Sequence, residues 1–303
     1  RIRDGDHFYQ FRLAARPPER DIMYLSKATD RNPHGVVYRR LRLLAALATQ
    51  KELLETLDRP EATLRSSGRK ALEEDAAFKD LDESKQAALR TVWRKTPLQL
   101  VVGPPGVGKT HLLAEYVRRS LSEESSQRIL ITAQGHQALD NAGQAVREVL
   151  AGANGLGDWL IVRSRTDKAT ANVGLYASEH ALGFLRRAAS SSLARSAPQD
   201  HQSGLGEMLK VAEHGGQRKS AYIDRPREVR AMESVVMQAA NVLLSTANSA
   251  ELSRLVENGA SFDEVIIEEA AKATGPELVA PMLLAMQRLL IGDHNQLPAF
   301  DSD

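Results

Sequence analysis

The sequence predicts an α/β fold in which helices cover both faces of a parallel sheet, and two observations support this class. From residue 81 onward, short apolar segments alternate with segments of helical composition. The apolar segments are continuous runs, as expected for strands that are buried on both faces of a parallel sheet. Six of them are predicted as strands: residues 98–102, 129–133, 160–163, 242–246, 265–267 and 289–291.

Composition narrows the class of protein further. The chain has 303 residues, a length typical of about two domains, with 42% hydrophobic and 26% charged residues. The net charge of +1 gives no overall basic signal, and the absence of cysteine excludes disulfides and cysteine-ligated zinc within this chain. No apolar run could span a membrane and no signal peptide is visible, although the chain starts at Arg1 and not at Met. We expect a cytoplasmic or nucleoid-associated protein.

The first 80 residues predict smaller structures. Strand-like segments at 8–13 and 21–25 are separated by a pair of prolines, and residues 35–57 carry apolar positions at helical spacing, which predicts one long helix. Residues 61–80 are polar and helical in composition, and we expect them to connect to the main domain. The charges of the first segment nearly balance, so a solvated surface is favoured there over a nucleic-acid contact.

Residues 165–240 interrupt the alternation of strands and helices. They are polar and rich in Ala, Ser and Arg. Three helices are predicted at 182–187, 205–213 and 227–240, with loops at 190–192 and 201–204. We interpret this segment as an insertion into the sheet domain and not as a separate fold.

A phosphate-binding loop is predicted directly after the strand at 98–102. The following residues fit the pattern G-x-x-x-x-G-K-[ST], and a helical run starts at once behind them. Glycines let the backbone approach phosphate oxygens, and amide groups at a helix N-terminus face the negative charge. The sequence therefore predicts a nucleoside triphosphate site formed by Gly103, Pro104, Pro105, Gly106, Val107, Gly108, Lys109, Thr110 and His111. Lys109 is expected to reach the β- and γ-phosphates, and the Thr110 hydroxyl to bind magnesium.

Two carboxylates follow the strand at 265–267. Ligands bind at the carboxyl ends of parallel strands, so we assign Glu268 to magnesium, through water, and Glu269 to orienting and deprotonating the attacking water. The pair Asp263 and Glu264 lies at the start of the same strand, about 16 Å from that end. The alternative is that Glu268 and Glu269 only begin a helix, where the helix dipole favours acidic residues.

Two glutamines complete the set of candidate residues. Gln296 follows the strand at 289–291 in a polar turn, from which it could reach the γ-phosphate. Gln86 lies on an amphipathic helix just before the phosphate-binding loop. Taken alone, Gln296 is an ordinary turn residue and Gln86 an ordinary surface residue.

In kind and order, these motifs resemble those of superfamily 1 helicases, of the 5′→3′ branch that includes the nonsense-mediated-decay helicase. The resemblance is close over residues 81–303 and loose over 1–80. It implies a RecA-like ATPase domain that uses ATP and magnesium, with Gln86 reading adenine and Gln296 coupling the γ-phosphate to motion. This chain has Glu268 where the family has Asp, and Gly135 and His136 where it has Ser-Asn.

The same resemblance implies a single-stranded DNA or RNA partner. The matching segments place Thr132, Gln134, Gly135, His136, Ser245 and Thr246 against the polymer. Residues 1–80 look like an accessory barrel and its stalk, and 165–240 like a second accessory domain. Basic residues there are candidate backbone contacts, although most are expected to be only solvated: Arg163, Arg165, Lys168, Arg186, Arg187, Arg195, Arg218 and Lys219. A second RecA-like domain with an arginine finger is expected beyond Asp303, so weak turnover is expected from this chain alone.

Three functions remain open on the sequence. The leading hypothesis is an ATP-dependent nucleic-acid helicase or translocase. A regulatory or scaffolding module that binds ATP as a switch and turns over little is the second, supported by Glu268 and by Gly135 and His136. The third is a small-molecule kinase with the same phosphate-binding loop, for which the sequence offers no recognisable acceptor site.

Overall fold

The computed structural model describes residues 2–4, 7–9, 33–152, 159–164, 175–217 and 227–296, and its contacts divide the chain into units 1–39 and 40–303. In the first unit, strands β1 (Ile2–Asp4) and β2 (His7–Tyr9) form an antiparallel pair. The predicted strand at 8–13 overlaps β2 at two residues. The rest of it, and the predicted strand at 21–25, lie outside the described residues.

The predicted long helix at 35–57 is two helices. Helix α1 (Pro33–Thr49) and helix α2 (Lys51–Asp58) are separated by Gln50, whose φ of −98° and ψ of 75° are not helical. Helical composition between 61 and 80 yields only the short helices α3 (Pro60–Thr63) and α4 (Ala76–Lys79).

The segment between α3 and α4 is not helical, because tertiary contacts fix it in another conformation. Strand β3 (Arg65–Ser66) pairs antiparallel with β4 (Lys95–Thr96), which follows helix α5 (Glu83–Arg94). The guanidinium of Arg69 then lies 4.4 Å from the ring centre of Trp93 and 5.4 Å from that of Tyr116. These contacts outweigh the helix propensity of the segment.

All six predicted strands are present in one parallel sheet, so the predicted fold class is confirmed. They are β5 (Leu98–Val102), β6 (Ile129–Ala133), β7 (Ile161–Arg163), β8 (Val242–Thr246), β9 (Phe262–Glu268) and β10 (Ala285–Gly292). The order across the sheet is β5-β10-β9-β6-β8-β7. Strands β9 and β10 begin earlier than predicted, because their charged first halves are still paired within the sheet.

Helices pack on both faces of the sheet, as predicted. On one face, Ile131, Leu244 and Ile266 pack with residues of α5 and of two helices that flank β6. On the other face, alternate residues such as Leu130 and Val265 pack with α2 and the later helices. The helices that follow β5 are α6 (Lys109–Glu123), α7 (His136–Gly152), α8 (Ala177–Ser190), α9 (Ser192–Ser196), α10 (Gln199–Gln217), α11 (Arg227–Ala239), α12 (Ala250–Glu257) and α13 (Gly275–Met282).

The insertion is helical, but its predicted loops are partly wrong. Helices α8, α10 and α11 confirm the three predicted helices. Helix α10 runs straight through residues 201–204, and α9 begins within the predicted loop at 190–192. Leu205 and Leu209 pack on Leu185 of α8, and this burial outweighs the weak helix propensity of Ser203 and Gly204. In the part of the chain that the structure describes, no helix is long and apolar enough to cross a membrane.

Candidate functional site

The loop between β5 and α6 has the backbone of a phosphate cradle. Gly106 and Gly108 both have φ of 80°, in the left-handed region that favours glycine. Gly108 is also closely approached, since a Cβ placed on it would lie 2.7 Å from Cε of Lys85. The loop is open to solvent around Pro104 and Val107. The sequence at 103–108 therefore has glycine where conformation and space require it.

Lys109 begins α6 and its side chain folds back over the loop. The ammonium Nζ donates hydrogen bonds to the carbonyl oxygens of Gly103, at 2.6 Å, and Pro104, at 2.8 Å. His111 is exposed in the first turn of the same helix. Helix α6 thus directs its positive N-terminal end and a lysine toward the same loop.

Thr110 and Glu268 meet across 158 residues of sequence, with Thr110 Oγ1 donating to Glu268 Oε1 at 2.6 Å. Glu268 ends β9 and is 7% exposed. Burial raises the pKa of its carboxyl, and the charge of Glu269 adds to this, while the hydrogen bond from Thr110 and the charge of Lys109 oppose it.

The second oxygen of Glu268 shows that the pair fits a metal ion. Glu268 Oε2 is buried, and within the described residues it has no hydrogen-bond partner. A buried carboxylate oxygen without a partner is costly, and magnesium prefers oxygen ligands of this kind. Thr110 and Glu268 together therefore suit a hard cation such as magnesium.

Glu269 has a strained backbone directly after β9. Its φ of 54° is the only positive φ of a non-glycine residue in the described part of the chain. Its Oε1 accepts a hydrogen bond from Nζ of Lys272 at 2.6 Å, across one turn of 3₁₀ helix at Ala270–Lys272. A Cβ placed on Gly135 would lie 3.6 Å from its Oε2. Strain of this kind, about 1–3 kcal/mol, is typical of functional positions.

Asp263 and Glu264 lie at the opposite end of β9, as the sequence indicated. Glu264 is buried, pairs with Arg69, and accepts a hydrogen bond from the Tyr116 hydroxyl at 2.5 Å. Asp263 accepts a hydrogen bond from the backbone N–H of Arg128. Both carboxylates are occupied by contacts that hold the N-terminal edge of the sheet.

The two candidate glutamines lie on elements that adjoin the loop, α5 and the turn after β10. Gln86 is half-buried on α5, and its Nε2 donates to the carbonyl oxygen of Leu81 at 2.8 Å. Gln296 lies in the turn after β10, which is the strand beside β5. The backbone N–H of Gly103 donates to the carbonyl oxygen of Gly292 at 3.1 Å, so this turn starts next to the phosphate-binding loop. Residues 297 and 298, which follow Gln296, lie outside the described residues.

Three of the predicted nucleic-acid contacts need correction. Thr132 and Ser245 are completely buried, and Thr246 is only 8% exposed. Ser245 is instead hydrogen-bonded to Ser164 and Ser249. These side chains are covered by the elements that pack on the sheet, so in this structure they are closed to a polymer. The half-exposed residues Gln134, Gly135 and His136, which follow β6, remain candidates.

Arg163 also needs correction, because it is completely buried. Its Nε donates to Asp140 at 3.1 Å, and its Nη2 lies 3.2 Å from Nδ1 of His136. Arg163 therefore fixes the first turns of α7 from inside. Arg186, Arg187 and Arg195 are exposed, and Arg186 pairs with Glu213. The remaining basic candidates, Arg165, Lys168, Arg218 and Lys219, lie outside the described residues.

The site contains two lysines that the motifs did not single out. Lys272 pairs with Glu269, and Lys85 lies over Gly108 while pairing with Asp82. The spacing of Lys272, three residues after Glu269 on a helical turn, could have indicated its contact. No local signal connects Lys85 to Gly108, because their contact depends on how α5 packs beside α6.

A sequence profile of the AAA-domain family matches residues 80–156 and 161–300, which is most of the chain. The chain belongs to the AAA-domain family. The match covers β5 to β10 and so includes the phosphate-binding loop, Glu268, Glu269 and Gln296.

Proteins similar to this chain include two that are helicases by name. The chain is 30% identical over 222 residues to the ATP-dependent helicase NAM7 of Saccharomyces cerevisiae, covering 73% of this chain and 20% of that protein. It is 26% identical over 228 residues to the DNA polymerase alpha-associated DNA helicase A of Schizosaccharomyces pombe, covering 72% and 32%. It is 27% identical over 222 residues to a regulator of nonsense transcripts 1 homolog of Arabidopsis thaliana, covering 72% and 16%. The resemblance to superfamily 1 helicases is thus confirmed, and the chain spans a third or less of the length of these relatives.

Proposed function

We propose that this chain carries the ATP-hydrolysing site of a nucleic-acid helicase or translocase. The observation that carries the proposal is the contact between Thr110 and Glu268, at 2.6 Å. It brings the predicted phosphate-binding loop and the predicted magnesium carboxylate to one place at the carboxyl edge of the sheet. Glu269, the next residue, is then beside the position that the phosphates of ATP would occupy.

In this proposal, each step of ATP hydrolysis is carried out by residues of this chain. Backbone amides of the loop and Lys109 bind the phosphate oxygens, and Lys109 exchanges its two carbonyl partners for them. Thr110 and Glu268 would hold magnesium, which supplies charge neutralisation to the phosphates when it is bound. The carboxylate of Glu269 first separates from the ammonium of Lys272. It then orients the attacking water and accepts a proton from it.

Gln86 and Gln296 are proposed to complete nucleotide recognition. The hydrogen bond from Gln86 to Leu81 supports reading of the adenine edge, because it fixes the plane of the amide before the nucleotide enters. Gln296 is proposed to respond to the γ-phosphate from the turn after β10. The turn follows β10, and β10 lies beside β5, the strand that leads into the loop. This location supports the role of Gln296.

The proposed partner polymer is single-stranded DNA or RNA. Gln134, Gly135 and His136 lead into the N-terminus of α7, a helix of 17 residues, where backbone N–H groups suit a phosphate. Gly135 also faces the side chain of Glu269, since a Cβ placed on Gly135 would lie 3.6 Å from Glu269 Oε2. A polymer bound there would therefore act next to the catalytic carboxylate.

The proposed domain organisation follows the resemblance. Residues 1–80 would be an accessory β segment with stalk helices, and residues 81–303 the RecA-like domain with a helical insertion at about 165–240. The separate apolar cluster of α8 and α10 supports the insertion. A second RecA-like domain concerns residues that this chain does not contain, so it stays a prediction.

The test is ATP hydrolysis by the intact gene product, alone and with single-stranded DNA or RNA. We expect strong stimulation by one polymer, and loss of turnover in Lys109→Ala and in Glu269→Gln. Near-normal turnover in either variant would refute the assigned roles. Unwinding by this chain alone would refute the need for a second domain.

One contact favours the alternative function, an ATP-binding switch with little turnover. The pairing of Glu269 with Lys272 occupies the carboxylate that hydrolysis requires. A Glu268→Asp variant separates the two functions. If this variant greatly raises turnover, the natural site is suited to holding nucleotide; if it does not, the motor is favoured.

A further inference from the structure

Glu277 on α13 is a buried carboxylate, 4% exposed, with hydrogen-bond donors from three separate segments. The backbone N–H of Thr274 donates to its Oε2 at 2.7 Å, and Nε2 of Gln134 lies 3.4 Å from the same oxygen. The side-chain amide of Asn248 donates to its Oε1. Among the described residues, no cation forms a salt bridge with Glu277, so these amides are the partners that its buried oxygens need.

The three donors lie at the carboxyl ends of three neighbouring strands. Gln134 follows β6, Asn248 follows β8, and Thr274 follows the 3₁₀ turn after β9. The sheet order places β6 between β9 and β8. One carboxylate therefore connects the loops of three adjacent strands at the edge where the candidate site lies.

Two of these loops belong to different parts of the proposed site, the turn that carries the catalytic carboxylate and the loop that faces the polymer. The turn before Thr274 carries Glu269 and Lys272. The loop at Gln134 leads into Gly135, which faces Glu269, since a Cβ placed there would lie 3.6 Å from Glu269 Oε2. Capping of α13 uses one oxygen of Glu277, which accepts the hydrogen bond from the backbone N–H of Thr274. Its second oxygen and the two side-chain amides have no part in capping.

We propose that Glu277 is a positioning residue, which holds the polymer-facing loop at 134–136 against the catalytic turn at 269–274. Through this contact, polymer bound at the loop speeds ATP hydrolysis. The catalytic consequence rests on the proposed function, whereas the positioning of the loops does not.

Glu277→Gln probes this contact with little change of volume. A glutamine still accepts the hydrogen bond from Thr274, but it is uncharged and its NH₂ group replaces Oε1. Asn248 can then keep only a weaker, uncharged hydrogen bond, and only by turning over its amide. Asn248→Asp in the same chain restores a donor–acceptor pair with reversed polarity. Asn248→Asp alone places two carboxylates face to face, so its effect should exceed that of Glu277→Gln.

The first readout is ATP hydrolysis by the intact gene product, titrated with single-stranded DNA or RNA. We expect Glu277→Gln to lower the polymer-stimulated rate roughly fivefold or more, and the unstimulated rate much less. The double variant should recover most of the stimulation. Glu179→Gln is the matched control, because Glu179 likewise accepts the N-cap N–H of its helix, α8, but lies in the insertion.

The second readout is amide hydrogen exchange at residues 134–137 and 246–249, measured without polymer. We expect faster exchange in Glu277→Gln and recovery in the double variant. If Glu277→Gln fails to fold, Asn248→Ala is the substitute, because Asn248 is exposed. This variant removes one hydrogen-bond donor to Glu277 and should also show faster exchange.

The outcomes separate the two claims. If the wild type is not stimulated by either polymer, the proposed function fails, and hydrogen exchange still decides the positioning. Unchanged exchange in Glu277→Gln overturns the positioning of the loops. If polymer stimulates ATP hydrolysis by Glu277→Gln as strongly as it stimulates the wild type, the proposed effect of Glu277 on hydrolysis is overturned.

Discussion

The ammonium of Lys272 lies 2.6 Å from Oε1 of Glu269, so the candidate catalytic carboxylate is paired with a cation. The two side chains are 35% and 32% exposed, and solvent screens their attraction. The backbone of Glu269 is at the same time held at a positive φ. The fixed backbone keeps the carboxylate of Glu269 in place. Its ion pair with Lys272 is weak and therefore easy to break.

Removing the Lys272 ammonium should raise the unstimulated rate of ATP hydrolysis. In Lys272→Met the carboxylate of Glu269 is free to accept a hydrogen bond from water, so we expect a severalfold increase, on the order of 1 kcal/mol in activation free energy. Steady-state hydrolysis without polymer measures it. Lys79→Met, an exposed lysine on α4, is the control. A lower rate in Lys272→Met would show that the lysine orients the carboxylate productively.

Loss of the Thr110 hydroxyl should weaken magnesium binding. Thr110 supplies one ligand and also orients Glu268, so in Thr110→Ala we expect the magnesium concentration for half-maximal hydrolysis to rise by roughly 10-fold or more. A magnesium titration at saturating ATP measures this shift. Thr91→Ala removes a hydroxyl that bonds only within α5, and should leave the titration unchanged. An unshifted curve for Thr110→Ala would exclude Thr110 as a ligand.

Gly108→Ala should destabilise the protein and abolish nucleotide binding. The positive φ costs about 1–2 kcal/mol for a residue with a Cβ, and that Cβ would meet the Lys85 side chain. Urea unfolding and binding of a fluorescent ATP analogue measure the two effects. Lys85→Ala added to Gly108→Ala should relieve only the steric part.

Gly183→Ala is the matched glycine control. Its Cβ would enter open space within α8, so we expect stabilisation of up to about 1 kcal/mol. Equal unfolding free energies for the two alanine variants would contradict the conformation assigned to Gly108.

The carboxyl of Asp75 should make stability depend on pH in the acid range. Burial raises its pKa, but hydrogen bonds from Arg119, the Phe78 amide and Arg118 outweigh this and hold the pKa at about 2. A depressed folded pKa gives stability that is present above the unfolded value of 3.8 and is lost as pH falls toward 2. The lost contribution is about 2 kcal/mol.

Urea unfolding at pH 5 and pH 3 measures this contribution. We expect Asp75→Asn to be less stable than the wild type at pH 5 and to lose less stability on acidification. Asp58→Asn, at a side chain that is 75% exposed, should behave like the wild type. Identical acid sensitivity of Asp75→Asn and wild type would remove Asp75 as the cause.

Local patterns predicted much of the site, because each is set by a few adjacent residues. The phosphate-binding loop follows from its glycines and lysine, and the location of Glu268 and Glu269 follows from the end of an apolar strand. The exclusion of Asp263 from the site follows from the same strand. Contacts that join distant segments were missed, as with Lys85 over Gly108 and Arg163 under His136.

The sequence by itself determined the six strands, the phosphate-binding loop and the carboxylates beside it, because apolar runs and glycine-rich turns act over short distances. Only the tertiary structure decided which polar residues are accessible. Thr132 and Ser245 lie on β6 and β8, which are flanked on both sides within the sheet, so neighbouring strands and helices bury them. Gln134 lies one residue beyond the end of β6, and its side chain contacts Glu277. Glu277 belongs to a helix that lies more than a hundred residues further along the chain. Burial depends on all neighbours of a residue at once, and those neighbours come together only in the folded chain.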